Sequence, residues 1–162
     1  MTAFIGASLT QTYTAADLTG ANSGKVPGIG DRYVDNSGKE YRFVKYNGGA
    51  GSVAAVANNF TYYYAPSGTS AGATTEVTSD LSDSAGVGAG MLLAAPASGE
   101  YCWIQTRGEA TLNTSLTAGA DGNALTPVGS TDGTLDVSAL VTDHIAAIAV
   151  DASAKIVFIT CP

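Results

Sequence analysis

Gly68-Thr-Ser70-Ala-Gly72 carries the G-x-S-x-G spacing of a nucleophile elbow, in which flanking glycines let a strained turn lift a serine hydroxyl above a sheet. The chain order Ser70, then Asp80 or Asp121, then His144 is that of a hydrolase triad, so acyl transfer with Ser70 as nucleophile and His144 as base is the chemistry to weigh. The flanking sequence argues against it. The elbow needs a strand immediately before and a helix immediately after, whereas Pro66 precedes it and Ala73-Thr-Thr-Glu-Val-Thr78 is a β-prone sequel. A small hydrolase using Ser70 and His144 is kept as a distant alternative.

Gly49-Ala-Gly51-Ser-Val-Ala54 fits the dinucleotide pattern G-x-G-x-x-A after a strand. A phosphate cradle of that kind needs a helix N-terminus beneath the glycines, and the short Ala54 to Ala57 stretch, a possible helical turn, stops at Asn58-Asn59. His144 is the sole histidine and cannot supply a transition-metal ligand set alone. Asp121, Asp132, Asp136 and Asp151 sit in turns of small residues, where a carboxylate caps backbone amides, and none has calcium-loop spacing. Cys102 and Cys161 lie in apolar strand patterns and read as buried free thiols. No enzyme activity, metal or cofactor is expected from these residues.

The elements that would position such groups are β. Arg32-Tyr-Val34 and Glu40-Tyr-Arg-Phe-Val-Lys-Tyr46 flank the turn cluster Asp35-Asn-Ser-Gly38 and predict a hairpin with Tyr41, Phe43 and Lys45 on one face and Arg42, Val44 and Tyr46 on the other. Phe60-Thr-Tyr-Tyr-Tyr64 predicts a strand with aromatics on both faces, either buried twice or meeting a partner on one side. The glycine run Gly86 to Gly90, weaker still than Gly49 to Ala54 as a phosphate cradle, runs straight into an apolar strand. After it come predicted strands at Met91 to Ala95, Tyr101 to Arg107, Glu109 to Leu116, Leu125 to Val128, His144 to Val150 and Lys155 to Cys161. Asp136 to Val141 is the other possible helix, and residues 76–84 are left unassigned. Residues 1–30 scatter Phe4, Ile5, Leu9, Tyr13 and Leu18 without a period and read as an extended N-terminal arm, either lying in a groove on a neighbour or loose. The expectation is an all-β chain, a small β-barrel or β-sandwich over residues 31–162 with that arm outside it.

Composition narrows the classes. Ala, Gly, Thr and Ser fill 80 of the 162 positions, while Leu, Ile, Val and Phe fill 33, a thin supply of core formers for one domain. A net charge of −7 works against nucleic-acid binding, which relies on clustered Lys and Arg. Five of the seven bases lie in residues 1–45. The start lacks a basic, then apolar leader and the longest weakly apolar run is broken by Gly88, Gly90 and Pro96, so neither secretion nor a membrane span is expected.

The blocks from Gly30 to Gly49, from Gly99 to Gly108 and from Ala110 to Gly133 resemble tailed-bacteriophage virion proteins, in particular small capsid decoration (cement) proteins. The resemblance implies a β-barrel or sandwich with an extended arm, often trimeric, on the outside of a head shell of major capsid protein. It implies a protein made in the host cytoplasm and located on the virion exterior, with no catalytic residues. A receptor-binding adhesin with aromatic loop tips, or a tail or neck component, is the alternative. Homo-oligomerisation, with a trimer favoured, would supplement the thin core. Because bases and isolated apolar residues concentrate near the start, Phe4, Ile5, Leu9, Lys39, Arg42 and Lys45 are the expected partner-binding residues, with residues 1–46 facing the shell.

Overall fold

A computed structural model describes residues 8–20, 23–65 and 75–162. Phe4, Ile5 and the Gly68–Gly72 pattern with Ser70 lie outside the described residues.

The first hairpin forms as expected, β1 (Arg32–Val34) antiparallel to β2 (Glu40–Tyr46) with Tyr33 opposite Tyr41. Asp35 organises its turn. One carboxylate oxygen accepts from the Ser37 amide at 2.8 Å, the Ser37 hydroxyl at 2.7 Å and the Lys39 amide at 3.0 Å, and the other from the Tyr41 hydroxyl at 2.8 Å. These bonds, the Ser37 hydroxyl's first, hold the Asp35 carboxyl at a pKa of about 2.

The next strands are β3 (Phe60–Tyr64), β4 (Glu76–Thr78), β5 (Ser84–Leu92) and β6 (Tyr101–Thr111). They close with β2 into a five-stranded barrel in the order β2-β4-β3-β5-β6, β6 returning to pair with β2. Only the β2–β4 pairing in this ring is parallel. Beyond the ring, β6 continues into a sheet built from β7 (Ala124–Thr126), β8 (Asp136–Val137), β9 (Ala147–Asp151) and β10 (Ile156–Thr160), in the order β6-β10-β9-β7-β8. The architecture is therefore all-β, a closed barrel with extra strands.

Several boundaries differ from the sequence expectation, each for a physical reason. The strand expected from Met91 begins earlier and takes in the glycine run as part of β5: Gly90, at φ +144, lets β5 approach β6 where any Cβ would strike the Gln105 carbonyl. The two strands expected at 101–107 and 109–116 are one strand, β6, whose first part pairs with β2 and whose last part, from Arg107, pairs with β10. Residues 54–57 and 136–141 form no helix; Asp136 and Val137 join the sheet as β8 opposite Thr126 and Leu125. His144 precedes its strand, which begins at Ala147.

Side-chain alternation sorts the core into three clusters. The barrel interior holds Val44, Tyr46, Tyr63, Val77, Leu92, Cys102 and Ile104. Phe60, Tyr62 and Met91 leave the barrel's outer face and pack with Ala147, Ala149, Val157 and Ile159 of the second sheet. Tyr41, Phe43 and Trp103 form a third patch on the barrel exterior. Residues 8–20 cover that patch. Leu9, Tyr13 and Leu18 pack on it, Tyr13 and Tyr101 exchange backbone hydrogen bonds at 2.8 and 2.9 Å, and α1 (Ala15–Thr19) is closed by a Thr14–Asp17 capping box. Both Tyr62 and Tyr63 are fully buried, one on each side of β3.

Candidate functional site

The second sheet is strictly two-faced. Along β9 and β10 buried and exposed residues alternate, with Ala147, Ala149, Val157 and Ile159 inward and Ile148, Val150 and Phe158 outward. Phe158 sits directly opposite Ile148, which is opposite Ala124 on β7, while on the other side Phe158 faces Glu109 of β6. An antiparallel sheet with one open face normally shows polar side chains there. Here Ile148 is 43%, Val150 46% and Phe158 41% exposed. Together they leave an apolar patch on the open side of the sheet.

The loop that precedes β9 is organised by its own carboxylate. Asp143 accepts from the Ala139 amide at 2.9 Å, the Leu140 amide at 2.8 Å and the Ser138 hydroxyl at 3.3 Å, bonds that keep its pKa low and leave Leu140 and Val141 at the exposed tip. Within residues 112–162 five aspartates stand against one lysine, and Glu109 is the acid directly opposite Phe158.

The aspartates named from sequence cap amides as the turn reading expects: Asp121 accepts from Ala152, Asp132 from Leu81, Asp136 from Val137 and Asp151 from Ala154. The Gly49-Ala-Gly51 loop does present amides to anions, but the anions are the protein's own. Gly51 donates to Asp80 at 3.0 Å and Ala50 to Asp83 at 2.5 Å, and a Cβ on Gly49, at φ +71, would lie 2.5 Å from an Asp80 oxygen. Burial opposes ionisation of Asp80, yet the hydrogen bonds from Ser82 and Gly51 outweigh it and lower its pKa. His144 is half-buried, its Nδ1 has no hydrogen-bond partner among the described residues, and burial lowers its pKa.

Of the residues expected to meet a partner, Leu9 lies in the patch on Phe43 and Trp103, Arg42 donates to the Tyr63 hydroxyl at 2.7 Å, and Lys45 is paired with Glu76 at 3.1 Å. Lys39 is half-buried beside Gly108. The structure does not bring these four side chains into one surface patch. Cys102 and Cys161 are free thiols, and burial pushes Cys102 up to about 12 and raises Cys161 as well. The exposed β9–β10 face was missed because the run Ile145-Ala-Ala-Ile-Ala-Val150 does not tell which side of its alternation will be covered.

Among the described residues no group of three His, Cys, Asp or Glu could hold a metal, and no helix is long and apolar enough to cross a membrane. No protein-family model matches the chain, and comparison with curated proteins and with solved structures gives no match.

Proposed function

We propose that this chain is a structural assembly protein, a decoration (cement) protein that binds the outside of a tailed-bacteriophage head shell and stabilises the major capsid protein lattice as a homotrimer. The observation that carries the assembly reading is the open apolar face of β9 and β10. Full burial of a large apolar side chain contributes about 1.5 to 3 kcal/mol, so covering what Ile148, Val150 and Phe158 leave exposed yields roughly 2 to 4 kcal/mol. That corresponds to no better than about millimolar affinity for one copy. Linked copies multiply such a contact, which is the physical argument for an oligomer here. The resemblance of the sequence blocks to decoration proteins supplies the phage context. An adhesin is favoured less, because the exposed loop tip at Leu140 and Val141 carries no aromatic ring.

The test uses head particles of the parent phage that lack this protein. The wild-type chain is expected to co-sediment with them and to give trimeric density on the shell exterior in electron micrographs. A chain carrying Ile148→Thr and Phe158→Thr, uncharged strand formers, is expected to stay folded and lose decoration. Unchanged occupancy by that variant overturns the assignment of the face, and density at the neck or tail overturns the decoration reading.

A further inference from the structure

The turn from Ser138 to Asp143 carries two large apolar residues at its tip. Leu140 is 65% exposed and Val141 fully exposed, so the chain itself leaves both uncovered. The tip is nevertheless fixed. Asp143 Oδ2 accepts from the Ala139 and Leu140 amides at 2.9 and 2.8 Å, and the Asp143 amide donates to the Leu140 carbonyl at 3.1 Å. The other carboxylate oxygen, Oδ1, takes no hydrogen bond among the described residues, which leaves an anion beside the apolar tip.

A complementary shape lies elsewhere on the same chain. Between α1 and residues 26–29 runs a groove of about 400 Å³, lined chiefly by Ala15, Leu18, Val26, Pro27, Ile29 and Tyr101. Ile29 is 47% exposed there, and no residue after Tyr101 lines the groove. Lys25, next to the lining Val26, is exposed and belongs to neither ion pair among the described residues, Lys45 with Glu76 and Arg107 with Glu40. Charge therefore matches shape: residues 112–162 hold five aspartates and one lysine, and residues 1–45 hold five of the seven bases. A second recess of about 400 Å³, between residues 48–55 and 95–98, fits the tip less well. Alanine, glycine and serine supply most of its lining, and acids border it, Asp80 against Gly49 and Glu100 on the Ala97 amide.

We propose that the Leu140–Val141 tip of one copy seats in the α1 groove of a second copy of this chain. The two aliphatic side chains cover Leu18, Val26 and Ile29, and removal of that apolar surface from water drives the contact. Asp143 Oδ1 meets Lys25 at the rim, which sets the orientation more than the affinity. Because the turn is already held by Asp143, little conformational freedom is lost on docking. Tip and groove are different surfaces, so the contact is head-to-tail: each copy gives one tip and receives one, and such a contact closes into a ring. A ring of three rests on the trimer proposed above, and it leaves the β9–β10 face uncovered.

Sedimentation of the full chain without particles, from about 10 µM to about 1 mM, tests this contact apart from any binding to a shell. The average mass is expected to rise with concentration from 16.2 kDa toward three times that value. A chain carrying Leu140→Ser and Val141→Ser, both at exposed positions, keeps its fold and associates at least about tenfold more weakly. Lys25→Glu weakens association most at low salt. On oxidation, a mixture of one chain carrying Ile29→Cys and another carrying Val141→Cys forms the mixed disulfide faster than either chain pairs with itself. A mass of one chain over the whole range, or association unchanged in the tip variant, overturns the proposal. Association lost with Ile148→Thr and Phe158→Thr but kept in the tip variant also overturns it and moves the interface to β9 and β10. Failure to decorate particles, with these self-association results intact, falls on the decoration reading alone.

Discussion

The barrel exterior at Tyr41, Phe43 and Trp103 and the outer face of β9 and β10 pose the same problem and solve it differently. Both are rows of apolar side chains on the open side of an antiparallel pair. The first is covered from within the chain: residues 8–20 lay Leu9, Tyr13 and Leu18 over it, Tyr13 meeting Phe43 edge-on with ring centroids 5.5 Å apart. Phe43 and Trp103 end 0% and 1% exposed, whereas Phe158 remains 41% exposed. A chain with few large apolar residues has sealed one patch with its own segment and left another open. That difference separates surface that stabilises the fold from surface left open to solvent.

The largest effect expected from this contrast is on the sealed side. Trp103→Ala should cost about 3 to 5 kcal/mol in urea unfolding, because it opens a cavity against Phe43 that the strand framework cannot collapse. A loss under 1 kcal/mol would show that the patch is not core. Next comes the cover itself. Tyr13→Ala removes the edge-on contact and part of the seal, and should cost about 1 to 2 kcal/mol while shifting Trp103 fluorescence to longer wavelength; unchanged emission would mean that residues 8–20 do not shield the indole in solution.

On the open side, Phe158→Ser should cost about 1 to 2 kcal/mol, well short of Trp103→Ala, since two-fifths of the side chain already faces water. A cost like that of Trp103→Ala would mean the face is buried in the isolated protein, as by self-association, which sedimentation of the same sample would reveal. The smallest effect concerns pH. Unfolded Asp35 titrates near 3.9 and folded Asp35 at about 2. Its folded value is the lower one, so its contribution is fully present above about pH 4 and is lost as pH falls through about 2. The stability gap between wild type and Asp35→Asn should therefore narrow over that window in acid unfolding, and a gap still as wide at pH 2 would remove Asp35 as the hairpin's organiser.

Local pattern already identified most strands. Turn chemistry placed the first hairpin, because Asp35 and Gly38 act over four residues and need nothing distant. Period-two alternation separated Tyr41 and Phe43 from Val44 and Tyr46, and Tyr62 from Tyr63, since successive side chains on a strand must point to opposite sides. Asp151 read correctly as a cap for the same local reason, whereas Asp121 and Asp132 cap amides 31 and 51 residues away, Ala152 and Leu81, which only the fold brings near.

What sequence could not decide were the questions of which strand lies beside which and what covers each face. Gly86 to Gly90 were left out of the strand that follows them because the reason for glycine there, the Gln105 carbonyl on the neighbouring strand, is fifteen residues from Gly90 and acts only after β5 meets β6. The amides of Gly51 and Ala50 found their anions in Asp80 and Asp83 only once the chain had closed. The β9–β10 face became a surface because nothing among the described residues packs over it. Alternation is a property of one strand and is written locally; coverage is a property of neighbours, and it exists only when the barrel and the second sheet have assembled.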